Sequence, residues 1–67
     1  MSDHIDRMKV EHKELKEKLD ALNKFIHSSQ IFKELDDLEQ TRMIKQAGVM
    51  ESYLSILESR IWCAQSA

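Results

Sequence analysis

His12 stands where packing alone would place an apolar side chain. An imidazole there can be a half-buried group hydrogen-bonded to a neighbour, or a polar device that fixes helix register. It can also be a ligand contact, repeated by symmetry in an oligomer. His4 lies eight residues earlier, close to the same face. Two histidines without a convergent acid make a poor metal set, so no metal is expected. Tyr53 and Trp62 carry flat faces able to stack on a base, although aromatics at helical spacing commonly pack as core. Arg42 and Lys45, with Gln46, form a polar patch that is either solvated surface or an anion site, since guanidinium and ammonium groups match phosphate oxygens. Arg60, near Trp62, suits either role. The candidate ligand-binding residues are therefore His12, Arg42, Lys45, Tyr53, Arg60 and Trp62. Gly48 follows Ala47 inside a helical stretch, and such a small pair permits close approach of another helix or a ligand.

Catalytic chemistry has little to work with. Cys63 has no histidine beside it in sequence, and there is no glycine-rich phosphate loop, nucleophile elbow or H-E-x-x-H motif. The expectation is a binding protein without enzymatic activity or a cofactor.

Composition narrows the partners. The 67 residues suffice for one domain near the lower limit of independent folding. There is no proline and one glycine, which removes the usual punctuation of β-rich or loop-rich folds. Charged residues make up 33% and hydrophobic ones 42%, which suits amphipathic helices and argues against disorder. Ten basic and twelve acidic residues give a formal net charge of −2. Binders of DNA, RNA or anionic membranes usually carry a basic excess, so none of these is expected as a partner. One cysteine permits no internal disulfide and fits a reducing compartment. The start, Met1-Ser2-Asp3-His4, lacks the apolar core of a signal peptide, and no stretch reaches the roughly 20 apolar residues of a membrane span. A cytoplasmic protein is expected.

The periodicity predicts the elements that must position these groups. Ile5, Met8, His12, Leu15, Leu19, Leu22 and Ile26 recur at threes and fours, the seam of a helix over about 3–27. Ser2 or Asp3 can cap its start, and Glu14 and Lys18 are spaced for an ion pair. His27-Ser28-Ser29-Gln30 breaks it. Residues 31–35 then read as one helical turn whose Ile31, Phe32 and Leu35 plug the end of a hairpin. A second helix over about 37–63 starts with Asp36 as N-cap and Glu39 reaching back to it. Its seam is Met43, Ala47, Met50, Leu54, Leu57 and Ile61, with Val49, Tyr53 and Ile56 in a flanking stripe and Ile44 and Trp62 at the margins. Met8, Met43 and Met50 are expected to fill gaps in the core. The tail from Ala64 to Ala67 is expected to fray.

The fold class expected is all-α: an antiparallel two-helix hairpin with a short connecting helical turn, His12 lying opposite Tyr53 to Leu57. A lone hairpin half-buries most of its apolar side chains, and the second helix is apolar over more of its circumference than one neighbour covers. Assembly into an oligomeric helical bundle follows.

The run Val10-Glu11-His12-Lys13-Glu14-Leu15, then Leu22-Asn23-Lys24-Phe25-Ile26, resembles a family of small phage and prophage proteins named after a protein of a crAss-like phage. Phe32, Leu35, Gln46, Met50, Tyr53-Leu54, Leu57 and Arg60-Ile61 extend the likeness to about Trp62. The pattern is similar to the helical hairpin of phage anti-CBASS sponges, which sequester cyclic nucleotide signals of bacterial immunity. That resemblance implies a homo-oligomer (a hexamer in the sponges) with pockets between subunits, in the cytoplasm of an infected bacterial host. It also implies an aromatic on the first helix stacking on a base, with basic groups on the phosphates. The tyrosine of that pattern falls near His12 here, and an imidazole covers less area. The leading expectation is a phage-derived anti-defence sponge. The alternatives are a helical inhibitor or adaptor acting on a host protein, or a purely structural oligomer.

Overall fold

The computed structural model describes residues 3–66, which form three helices: α1 (Asp3–Ser28), α2 (Gln30–Glu34) and α3 (Asp37–Ser66). The two long helices pack against each other. Ser2 and Ala67, named above for a cap and a fraying end, lie outside the described residues. Between them α3 runs on through Ser66, three residues past the expected end, with Ala64 half-buried.

Each break has a local cause. The Ser29 amide still donates to the Phe25 carbonyl (3.0 Å) while its own backbone is extended. Its hydroxyl oxygen accepts from the amides of Ile31 (3.1 Å) and Phe32 (3.4 Å), so it ends α1 and caps α2 at once. Asp36 caps α3 as expected, its carboxylate accepting from the Glu39 amide at 2.8 Å. The Glu39 carboxylate does not reach back. It lies 3.5 Å from Arg42, one turn on, and only half of the capping box forms. The Gln40 side-chain amide donates to the carbonyls of Phe32 and Leu35, both at 3.0 Å. It thus satisfies the Leu35 carbonyl and adds a second bond to the Phe32 carbonyl, which already accepts from the Leu35 amide at 3.1 Å.

The core is a single seam. Met8 and Leu19 of α1, Phe32 of α2, and Ala47, Leu54 and Leu57 of α3 are buried. Leu15, Leu22, Ile26 and Met50 pack partly buried around Leu19, Ala47 and Leu54. Phe25 and Phe32 meet edge to face, 6.1 Å between ring centroids, and close the corner. Ile31, expected to plug that corner, is 62% exposed, because the Ser29 cap turns Phe32 and not Ile31 inward. On the solvent face the ion pair formed is Lys16–Asp20 at 3.4 Å, in the less favourable order along the helix, and not Glu14–Lys18.

This seam leaves much outside. The extents are 48 × 14 × 14 Å, and the radius of gyration is 15.1 Å against about 11 Å for a compact domain of this length. The surface is 5291 Å², where a compact protein of this mass exposes about 4,400 Å². Six large hydrophobics of α3 are exposed: Leu38, Ile44, Val49, Tyr53, Ile56 and Trp62.

The close approach between α1 and α3 uses buried Ala47; a Cβ built at Gly48 would meet nothing within 4 Å. Replacing Gly48 with alanine should therefore raise stability by about 0.5–1 kcal/mol, the helix-propensity difference, in denaturant unfolding. A loss instead would show that something packs against the bare backbone. Leu57 is fully buried, and Leu57→Ala should cost about 2–5 kcal/mol in the same measurement, enough to abolish a cooperative transition in a marginal hairpin.

Candidate functional site

Antiparallel pairing sets which side chains meet. His12 sits on the margin of the α1 seam and faces Glu58, one residue beyond the stretch expected. Its Nε2–H donates to Glu58 Oε2 at 2.9 Å. The imidazole is one quarter exposed and the carboxylate more than half. One turn back on α1 stands Lys9, and along α3 come Ile61, Trp62 and Gln65. These six residues line a cleft of about 300 Å³ at the end of the hairpin opposite the α2 corner. Trp62 is 72% exposed, so a flat indole face stands open beside one cation and several hydrogen-bonding groups. The arrangement can stack a planar ring, hydrogen-bond its edge and meet an anion.

Of the six candidate residues, the structure brings together His12 and Trp62. Tyr53 is nine residues from Trp62, two and a half turns, and so on the opposite side of α3. Its hydroxyl donates to the Glu11 carboxylate on the other flank of the hairpin. Arg60, two residues from Trp62, also points away from it. Arg42 and Lys45 precede Trp62 by 20 and 17 residues, about 30 and 26 Å along the helix. Arg42 is near Glu39, and the Gln46 amide contacts the Met50 sulfur at 3.9 Å. None of Arg42, Lys45, Tyr53 and Arg60 lines the cleft of Trp62.

Lys9, Glu58 and Gln65 escaped the sequence reading. The signal was present as spacing: Lys9 precedes His12 by three, and Trp62 and Gln65 follow Glu58 by four and seven. The expected register was one residue short of Glu58, and nothing in the spacing singles out this flank of the two helices. Among the described residues no group of three or more histidines, cysteines, aspartates or glutamates is placed to hold a metal ion. No described helix is long and apolar enough to cross a membrane.

Two long packed helices with an open cleft on one flank define a helical hairpin in outline. The match to family models makes this specific: the chain belongs to the Sequestin family, whose model matches residues 2–62. The family's name points to a sequestering role in place of a catalytic one. Comparison with curated proteins and with solved structures finds no match.

The chain has one tryptophan, which makes its fluorescence a reporter of this cleft. His12→Ala should change stability by no more than about 1 kcal/mol, because the pair it breaks is solvent-accessible. The same variant should shift the Trp62 emission. An unchanged spectrum with a large loss of stability would make His12 a core element and nothing more.

Proposed function

We propose that this chain is a phage-derived anti-defence protein that, as an oligomer, sequesters a cyclic nucleotide immune signal in the cytoplasm of the infected host. The observation that carries this reading is the exposed Trp62 face in the cleft it shares with Lys9, His12, Glu58 and Gln65. A base stacks on Trp62, with His12, Glu58 and Gln65 at its edge and Lys9 toward phosphate. Membership of a family named for sequestration supports the same reading.

The volume argues for shared walls. About 300 Å³ is the lower end of ligand sites, which run to about 1,000 Å³, and suits one nucleoside better than a whole cyclic di- or trinucleotide. A neighbouring subunit supplies the rest, and Arg42, Lys45, Tyr53 and Arg60, remote from the cleft within one chain, are available from that neighbour. A second reading, an inhibitor or adaptor that lays α3 on a host protein, draws on the same exposed side chains of that helix.

Calorimetry with a panel of cyclic di- and trinucleotides and cyclic ADP-ribose isomers tests the sponge reading. At least one should bind, and Trp62→Ala should weaken it by about 1–3 kcal/mol, roughly 5- to 150-fold. No heat with any member of the panel sinks the sponge, and stoichiometric capture of one host protein would then favour the adaptor.

A further inference from the structure

We infer that the Trp62 cleft selects guanine, with the Glu58 carboxylate accepting the two adjacent N–H groups of a base stacked on the indole. The inference rests on the cyclic nucleotide reading above and names the base that the cleft takes.

Spacing along α3 sets the frame. Glu58, Trp62 and Gln65 follow one another at four and three, so they share one face of the helix, each about a turn from the next. The exposed indole thus stands between a carboxylate and a side-chain amide seven residues apart, about 10 Å along the axis. A ring lying on Trp62 has Glu58 toward one edge and Gln65 toward the opposite edge. A bicyclic purine spans that gap better than a single-ring pyrimidine.

Glu58 then discriminates among bases. Its Oε2 accepts from the His12 Nε2–H at 2.9 Å, which ties the carboxylate to the facing helix. A carboxylate offers about four lone-pair sites and no donor, so one such bond leaves acceptors on both oxygens. Among the described residues no other hydrogen bond or ion pair engages this group, and it is more than half exposed. Guanine carries N1–H and N2–H side by side on its pairing edge, a match for both oxygens at once. Adenine and cytosine each set their amino group beside a ring nitrogen lone pair, and uracil flanks its one N–H with two carbonyls. Against any of these, one carboxylate oxygen faces another acceptor. On its far side guanine offers N7 and O6 as acceptors, which the Gln65 amide can meet as donor.

Charge supports the same choice. A carboxylate in a cleft for an anionic ligand is repulsive unless donors of the base occupy it. A guanidinium would also present two parallel N–H groups, but Lys9 lines the same cleft, and a cation there repels it while attracting phosphate.

Calorimetry with cyclic di-GMP, cyclic di-AMP and cyclic di-IMP tests this, because the three share one backbone and differ only at the purine. Circular dichroism confirms that each variant stays helical. The parent should bind cyclic di-GMP about tenfold or more tighter than cyclic di-AMP. Hypoxanthine keeps N1–H and lacks the N2 amine, so cyclic di-IMP should bind more weakly than cyclic di-GMP. Glu58→Gln can still accept from His12 but offers the base one acceptor and one donor, so the preference for guanine over adenine should fall to within about threefold. If the parent binds cyclic di-AMP as tightly as cyclic di-GMP, or if Glu58→Gln keeps the preference, guanine selection is wrong while base stacking in the cleft stands. The same holds if these three fail and another cyclic nucleotide binds. If no cyclic nucleotide binds at all, both readings fall.

Discussion

Two helices have one seam to share, and everything about this chain follows from how little that seam can hide. A side chain on a helix in a hairpin is covered only if it points at the other helix. The α1 sequence obeys this: its large apolar residues lie on the seam or, as Phe25 does, against α2, and Val10 is the exception. The α3 sequence does not, with six large hydrophobics left exposed. Since a buried side chain contributes about 1.5–3 kcal/mol and an ordered backbone residue costs about 1–2, an elongated hairpin that half-covers its apolar groups is close to balance. The surface and the radius of gyration, both above those of a compact domain of this size, express the same constraint as shape.

The fold was legible wherever a rule is local and periodic. The seam positions follow from 3.6 residues per turn, and the Asp36 cap follows from a short acceptor side chain ahead of a helix. Details that depend on a competition between near-equal local contacts were not legible. Ile31 and Phe32 are equally apolar, and the geometry of the Ser29 cap decides which turns inward. Gln40 carries no hydrophobic signal, yet its amide ties the end of α2 to α3. Glu39 had two partners in reach, the Asp36 backbone and the Arg42 side chain, and lies by the latter.

The candidate site divides along the same line. His12 stood out because a polar residue interrupts an apolar period, and Trp62 because of its size. Their shared cleft depends on which flank of each helix comes together, which seam spacing alone does not single out, so Lys9, Glu58 and Gln65 read as ordinary solvated positions. Arg42, Lys45, Tyr53 and Arg60 share suitable side-chain chemistry, but helical rise and rotation scatter them along and around α3.

The central claim is that this hairpin reaches its stable form by sharing apolar surface between copies. Thermal unfolding followed by circular dichroism over a hundredfold range of protein concentration tests it most directly, since folding linked to association makes the midpoint depend on concentration. The account predicts a midpoint that climbs steadily as the chain is concentrated, with helicity lost on strong dilution. A sharp transition at one temperature, the same at every concentration, would contradict it.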